Sequence, residues 1–130
     1  MKTVLFVCVE NSCRSQIAEA FANIYGQDTL EAHSAGSHPS GQVNIKAINS
    51  MQEVGYDLAR HHSKSLTNIP QINYDLVITM GCGDECPNVA ARQKQDWDIP
   101  DPKNMNIIEF RQIREIIKNK VLSLIEEVTK

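Results

Sequence analysis

The chain has 130 residues, of which 42% are hydrophobic and 22% are charged, and its formal net charge is −3. This size predicts one domain, residues 1–130, with a single hydrophobic core. The weakly acidic balance argues against nucleic acid or an anionic membrane as the main partner, because both require a basic protein surface. An anion-binding site in this chain must therefore be local.

The amino terminus differs from a secretion signal. The apolar run that ends at Cys8 is short, and the polar residues 10–14 follow at once. No segment approaches the roughly 20 apolar residues that a membrane-spanning helix requires. We therefore expect a cytoplasmic protein. In that compartment the four cysteines, Cys8, Cys13, Cys82 and Cys86, are catalytic, redox-active or metal-binding rather than structural disulfides.

Apolar runs and helical periodicity alternate along the chain. The predicted strands, each rich in apolar and β-branched residues, are residues 3–8, 30–35 and 74–80. The predicted helices are residues 15–25, 45–54 and 110–128, the first two ended by Gly26 and Gly55 and the last marked by one apolar stripe. Strands that alternate with helices predict an α/β fold with a mostly parallel sheet covered on both faces.

The segment from Cys8 to Arg14 joins the first strand to the first helix, where ligands bind in open α/β folds. Backbone N–H groups of such a loop converge on an anion, and the helix N-terminus adds favourable partial charge. Arg14 supplies a planar fork for two oxyanion oxygens, and the same field favours the thiolate of Cys8. A cysteine six residues before an arginine is the C-x5-R pattern of cysteine phosphatases. The expected oxyanion-binding residues are Val9, Glu10, Asn11, Ser12, Cys13, Arg14 and Ser15.

Side chains within this loop have distinct expected roles. Either Ser12 or Ser15 is expected to donate a hydrogen bond to the thiolate, and Asn11 to brace the loop. We expect Cys13 to pack rather than react. A carboxylate that points into an anion site is unfavourable, so Glu10 is expected to face solvent.

The second cysteine pair, Cys82 and Cys86, follows the strand predicted at residues 74–80 and so lies at the same sheet edge as Cys8. Two thiols four residues apart come within disulfide reach if the turn coils. A redox pair explains three thiols at one end of one sheet. A purely structural pair, and a zinc site completed by His61 and His62, remain alternatives.

The irregular stretch 97–103 contains the candidate general acid. Asp101 stands between Pro100 and Pro102, in a position to protonate a leaving oxygen. A turn-forming role for Asp101 is the alternative, and Asp98 is a weaker candidate for the acid. His61 and His62, followed by polar residues, are expected at the surface.

These residues together resemble the low-molecular-weight tyrosine phosphatase superfamily and, within it, the thiol-dependent arsenate reductases. The resemblance covers essentially the whole chain. It rests on the motifs VLFVC (4–8), NSCRSQIAEA (11–20), SAG (34–36), EVG (53–55), DLVITM (75–80) and Asp101-Pro102. The two cysteines after the third strand are typical of the reductases, and Lys103 and Asn104 stand where the phosphatases commonly carry tyrosine.

The resemblance implies a three-layer sandwich with a central four-stranded parallel sheet flanked by helices. It implies Cys8 as nucleophile, Arg14 as oxyanion clamp, Asp101 as general acid, and Cys82 and Cys86 as the thiols of a disulfide relay that starts at Cys8. The implied substrate is arsenate or a phosphate-like oxyanion. An external thiol reductant of the thioredoxin or glutaredoxin type is implied, with no bound cofactor.

Some reductases of this family bind potassium through residues that match Asn11, Glu19 and Ser34, together with a carboxylate that corresponds to Lys64. An ammonium group in that place replaces the cation, so no metal requirement is expected. The competing functions are phosphatase chemistry through Cys8, Arg14 and Asp101 alone, and a thiol- or zinc-based sensor without turnover.

Overall fold

The computed structural model describes residues 1–81 and 89–129, so Cys82 and Cys86 lie outside the described residues. Its elements, in chain order, are β1 (Lys2–Cys8), α1 (Arg14–Tyr25), β2 (Leu30–Gly36), α2 (Ile45–Gln52), a short 3-10 helix (Leu58–Arg60), β3 (Tyr74–Thr79), β4 (Ala91–Asp96) and α3 (Ile107–Thr129). None of the helices in these two ranges combines the length and the apolar character needed to span a bilayer.

The four strands form one parallel sheet in the order β2-β1-β3-β4. Cys8 pairs with Gly36 and Val7 pairs with Thr79, so the carboxyl ends of β1, β2 and β3 meet at one edge. This confirms the predicted α/β fold with a central four-stranded parallel sheet flanked by helices. It also places the segment after Cys8 at the sheet edge where α/β proteins bind ligands.

Strand β1 is buried on both faces, which explains its uninterrupted apolar run. Alternate residues of β1 face opposite sides of the sheet. On one side Val4 and Phe6 share a core with α1, α2 and α3, and the helices contribute, among others, Ile17, Phe21, Met51, Phe110 and Ile117. On the other side Leu5 and Val7 pack with Ile69, Tyr74 and Val77.

Strand β4 was not identified from residue pattern, although the family resemblance implies a fourth strand. Its sequence, ARQKQD, has one apolar residue, and most of its side chains are exposed. As the edge strand it pairs only with β3 within the described residues. An edge strand is held by backbone hydrogen bonds with little burial, so hydrophobic periodicity is a poor guide to it.

Candidate active site

The turn between β1 and α1 has an unusual backbone at Asn11. Asn11 has φ of 51°, the one positive φ outside glycine in the described chain, and it is fully buried. Its side-chain oxygen accepts hydrogen bonds from Gln16 Nε2 at 2.8 Å and from the Lys64 backbone N–H at 2.7 Å. Gln16 also donates to the Asn11 carbonyl at 3.1 Å. Asn11 therefore braces the loop, as the sequence predicts.

The carbonyls of residues 8–12 point away from the interior of the loop, because each accepts a hydrogen bond from outside it. The donors are Ser37 N to Cys8 O (3.3 Å), His38 N to Val9 O (2.8 Å), Ser40 N and Ser63 Oγ to Glu10 O (3.0 Å each), Gln16 Nε2 to Asn11 O (3.1 Å) and Asn44 N to Ser12 O (3.0 Å). With the carbonyls turned outward, the N–H groups of these peptides turn inward. That arrangement suits an oxyanion at the start of a helix.

Cys8 is the last residue of β1, and its sulfur lies 2.8 Å from Ser15 Oγ. Ser15 Oγ also accepts a hydrogen bond from Asn11 Nδ2 at 2.8 Å, which leaves the hydroxyl proton free to be donated to the sulfur. Of the two serines proposed from sequence, Ser15 therefore contacts the nucleophile. Ser12 instead donates to Cys13 Sγ at 3.8 Å.

Arg14 is the first residue of α1, and its side chain is 8% exposed. Its Nη1 donates to the Ile99 carbonyl at 3.0 Å, and its Nη2 lies 3.8 Å from Asp101 Oδ2. The predicted clamp and the predicted acid therefore stand side by side. Asp98, the weaker candidate, is exposed.

Gly81 lies against this arginine. A Cβ added to Gly81 would stand 2.7 Å from Arg14 Nη1, and its φ of +73° suits glycine. A side chain at this position would displace the guanidinium. The end of β3 therefore passes directly beside the oxyanion clamp.

Cys13 is buried in the main core, as expected for a packing residue. Burial raises the pKa of the Cys13 thiol to about 12, so the group stays protonated at neutral pH. A neutral buried thiol is a poor nucleophile. Cys8 is thus the better candidate for the nucleophile of the loop.

The sequence predicts that Glu10 faces solvent. In the structure its side chain is partly exposed and its carboxylate is paired with Lys103. Both of its carboxylate oxygens accept hydrogen bonds from Lys103 Nζ, at 3.0 and 2.8 Å. The bond to Glu10 raises the pKa of Lys103, so the ammonium group stays charged at neutral pH. The ammonium group of Lys103, two residues after Asp101, thereby offsets the charge of the Glu10 carboxylate in the anion-binding loop.

Sequence reasoning placed His61 at the surface, and this was wrong, because its side chain is 9% exposed. His61 Nδ1 lies 2.9 Å from Gln16 Oε1, and its Nε2 lies 2.6 Å from the Tyr56 hydroxyl. Burial lowers the pKa of His61, which favours the neutral ring with its proton on Nδ1. Tyr56, His61 and Gln16 thus form a chain of hydrogen bonds that ends on Asn11. The one signal in the sequence was Gln16, a polar residue on the helix face that packs inward.

Beneath the loop, Glu19 is paired with a cation from the protein itself. Lys64 Nζ lies 3.7 Å from Glu19 Oε1 and donates to Ser34 Oγ at 3.4 Å. Ser34 Oγ donates to Glu19 Oε1 at 2.5 Å. The ammonium group therefore lies beside Glu19 and Ser34, two of the residues for which the sequence resemblance implies a cation site.

No cluster of three or more His, Cys, Asp or Glu side chains that suits a metal ion occurs within residues 1–81 and 89–129. The zinc alternative involved Cys82 and Cys86, which lie outside these ranges. His62 is exposed and His61 is engaged with Gln16 and Tyr56.

A C-x5-R loop at the carboxyl edge of a parallel sheet, with an aspartate beside the arginine, defines the class of cysteine-dependent phosphatase-like enzymes. Residues 3–130 match the family described as low molecular weight phosphotyrosine protein phosphatase. The chain is 38% identical over 132 residues to a glutaredoxin arsenate reductase of a Synechocystis species, covering 99% of this chain and 100% of that protein.

Solved structures agree with this relationship. An arsenate reductase in a phosphate-binding state superposes with a TM-score of 0.89 at 38% identity, covering 98% of this chain and 99% of that one. A thioredoxin-dependent arsenate reductase of Corynebacterium glutamicum gives a TM-score of 0.80 at 31% identity, covering 99% of this chain and 62% of that one. The chain belongs to the low molecular weight phosphotyrosine protein phosphatase family and, within it, to the arsenate reductases.

Proposed function

We propose that this chain reduces arsenate to arsenite, with Cys8 as the nucleophile and with Cys82 and Cys86 as the thiols that carry the oxidation away. The observation that supports it best is the 2.8 Å contact between Cys8 Sγ and Ser15 Oγ at the start of a loop whose carbonyls point outward. The substrate, arsenate, is inferred from the relatives that are named as arsenate reductases.

In the first step the Cys8 thiolate attacks arsenic, and one arsenate oxygen leaves as water. The inward N–H groups of residues 9–13 and the Arg14 guanidinium hold the remaining oxygens, and their charge stabilises the transition state. Asp101, 3.8 Å from Arg14, donates the proton that the departing oxygen requires. The product is a covalent adduct of Cys8 with arsenic(V).

In the second step the Cys82 thiolate attacks the sulfur of Cys8. A Cys8–Cys82 disulfide forms, and the electron pair of the sulfur–arsenic bond stays on arsenic, which leaves as arsenite. Cys86 then attacks Cys82, which forms a Cys82–Cys86 disulfide and frees the Cys8 thiol. The close approach of Gly81 to Arg14 supports Cys82 as the attacking thiol, because Gly81 is the residue directly before Cys82.

An external dithiol returns the second pair to its reduced form. Glutaredoxin and thioredoxin are the donors named for the two relatives above, and we propose a donor of this type rather than a bound cofactor. A cytoplasmic location fits a relay that must be reduced in every cycle, because thiols are kept reduced in that compartment.

The test is arsenite release from arsenate by the purified chain, with either thioredoxin, thioredoxin reductase and NADPH, or glutaredoxin, glutathione reductase, glutathione and NADPH. Wild type is expected to release many equivalents of arsenite with one of the two systems. Cys8→Ser is expected to release none, since an alcohol lacks the stabilised anion. Absence of arsenite from fully reduced wild type in both systems would refute the proposal, and tightly bound zinc would then favour a sensor.

A phosphatase side activity is favoured by the placement of Arg14 beside Asp101, because phosphoryl transfer requires these two residues and Cys8 alone. We expect slow hydrolysis of an aryl phosphate that survives the loss of Cys82 and Cys86. If hydrolysis of the aryl phosphate were faster than arsenate reduction, phosphatase activity would become the favoured function.

A further inference from the structure

The oxyanion loop, residues 8–14, is joined to a segment far from it in sequence by an ion pair. The segment that carries the acid, residues 97–103, is called the Asp101 loop here. The Lys103 ammonium binds both oxygens of Glu10, at 2.8 and 3.0 Å, across 93 positions of the chain. Glu10 belongs to the oxyanion loop and Lys103 to the Asp101 loop.

We propose that Glu10 and Lys103 form a clasp that ties the Asp101 loop to the oxyanion loop at the mouth of the site, and that this clasp selects free inorganic oxyanions over phosphate esters. This inference rests on the proposed function in one respect, namely the in-line chemistry at Cys8. It assigns to Lys103 a role in positioning and selectivity, with no contact to the reacting atoms.

The clasp adds a side-chain contact with the oxyanion loop at the end of the Asp101 loop, where Pro102 is buried and its carbonyl accepts a hydrogen bond from the Met105 N–H at 2.9 Å. At the start of that loop, Ile99 is buried and its carbonyl accepts from Arg14 at 3.0 Å. At its end, the Lys103 backbone N–H donates to Asp101 Oδ1 at 3.1 Å, and Lys46 Nζ donates to the Lys103 carbonyl at 3.4 Å. The side chain of Asp101 is 49% exposed, so packing does not fix its position.

The direction of the chemistry explains the selectivity. Attack by Cys8 expels the oxygen on the opposite side of the central atom, and Asp101 is the group that protonates it. In an ester that oxygen carries an organic substituent, which must leave the site past Asp101. Lys103 stands two residues after Asp101, and its side chain crosses to Glu10. Arsenate or phosphate has only a proton on that oxygen and needs no such space.

Charge supports the same assignment. Glu10 places a carboxylate in a loop built for anions, and Lys103 offsets that charge. Loss of Lys103 alone would leave Glu10 unpaired and weaken oxyanion binding, whereas loss of both would restore neutrality. The two residues therefore have to act as a unit, which a double-mutant cycle detects.

The experiment compares Lys103→Met, Glu10→Gln, the double variant, and Lys103→Arg as the conservative replacement. The readouts are kcat/KM for p-nitrophenyl phosphate and the inhibition constant of inorganic phosphate, neither of which depends on Cys82 or Cys86. The matched control is Arg111→Met, which breaks the Glu53–Arg111 pair. That pair has a similar length (2.7 Å against 2.8 Å) and similar exposure of the cation (45% against 47%).

Selectivity for the ester is expressed as kcat/KM for p-nitrophenyl phosphate multiplied by the inhibition constant of phosphate. From the usual strength of exposed ion pairs, this product should rise about two- to fivefold in Lys103→Met. The inhibition constant should return towards wild type in the double variant, and Lys103→Arg should keep wild-type selectivity. Arg111→Met should change neither readout.

Equal selectivity in all variants, or additive effects of the two single changes on the inhibition constant, would overturn the clasp. Thermal unfolding of each variant separates loss of folding from loss of selectivity. Arsenite release by wild type is measured apart from these readouts, so its failure would refute arsenate reduction and leave the result for the clasp intact.

Discussion

The hydroxyl of Ser15 receives a hydrogen bond from Asn11 and lies 2.8 Å from the sulfur of Cys8, so that sulfur is connected to a network that reaches the helix. A hydrogen bond to a charged group contributes about 1.5–3 kcal/mol. We predict that Ser15→Ala lowers the alkylation rate of Cys8 by iodoacetamide at pH 7 by about 10- to 100-fold, because less thiolate is present.

The measurement uses protein that also carries Cys82→Ser and Cys86→Ser, so that the remaining thiols are Cys8 and Cys13. Cys13 does not interfere, since burial raises the pKa of its thiol to about 12. Ser123→Ala, at an exposed position of α3, is the control. An unchanged alkylation rate in Ser15→Ala would mean that the backbone of the loop stabilises the thiolate alone.

The role proposed for Asp101 is to donate a proton to the departing oxygen. Asp101→Asn is predicted to slow turnover by about 10²- to 10⁴-fold, the usual cost of a lost general acid. Its affinity for inorganic phosphate should stay similar or improve, because a carboxylate near the site repels anions. Initial rates and phosphate inhibition constants measure the two effects. Normal turnover would reduce Asp101 to a turn residue, and Asp98→Asn, otherwise expected to be neutral, would be examined as the alternative acid.

The ammonium of Lys64 stands 3.7 Å from Glu19 and hydrogen-bonds Ser34. Because it offsets the Glu19 carboxylate, arsenate reduction by wild type is predicted to be insensitive to potassium. Lys64→Asp would place two carboxylates together and should create a requirement for the cation, with activity rising with potassium but not with a bulky organic cation. Rates are measured at constant ionic strength, with Lys2→Asp at the opposite end of β1 as control. Strong activation of wild type by potassium would contradict the assignment.

At the scale of elements, the segment after the 3-10 helix supports α1 through His61, which joins Tyr56 to Gln16. Burial lowers the pKa of His61 from its ordinary value of 6.5. The unfolded chain therefore binds a proton at this group more readily than the folded chain does. Stability attributable to His61 is complete above pH 6.5 and decreases as the pH falls below that value.

We predict that His61→Gln flattens the decrease in the free energy of unfolding from about pH 7 to about pH 5, the range that spans the ordinary histidine pKa. Urea unfolding at several pH values measures it, and His38→Gln, at an exposed site, should keep the wild-type slope. Equal slopes for wild type and His61→Gln would show that the folded protein accommodates a charged ring at this site.

Elements with strong burial were predictable from sequence, and elements held by the backbone or by distant contacts were not. Strand β1 reads as a strand because both of its faces are buried, whereas β4 has polar residues and lies at an edge. The residues of the loop from Cys8 to Arg14 are contiguous in the sequence, so their types alone indicate an anion-binding site. His61 and Lys103 gain their partners through contacts 45 and 93 positions away, and no local pattern encodes such pairs.

At the scale of the whole molecule, the carboxyl edge of the sheet is packed so closely that glycine is required where other segments approach the loop. A Cβ on Gly36, at the end of β2, would lie 2.6 Å from the Val9 carbonyl oxygen. A Cβ on Gly81, after β3, would lie 2.7 Å from Arg14 Nη1. The chain thus leaves the sheet beside Arg14, at the residue that directly precedes Cys82 in the sequence, which supports the proposed attack of Cys82 on Cys8.

The proposed relay predicts different outcomes for substitution of Cys82 and for substitution of Cys86. Cys82→Ser should release no arsenite, because nothing attacks the sulfur of the Cys8 adduct. Cys86→Ser should release a single equivalent per chain and stop as a Cys8–Cys82 disulfide, since the thiol that frees Cys8 is missing. Both variants should hydrolyse an aryl phosphate at nearly the wild-type rate, which serves as the internal control because Cys8 is the one cysteine that this reaction needs. Rapid-quench arsenite measurement and mass spectrometry of the trapped disulfide distinguish the two variants. Sustained arsenate reduction by both variants with thioredoxin or glutaredoxin would exclude the three-thiol relay and leave a mechanism in which the external thiol attacks Cys8 directly.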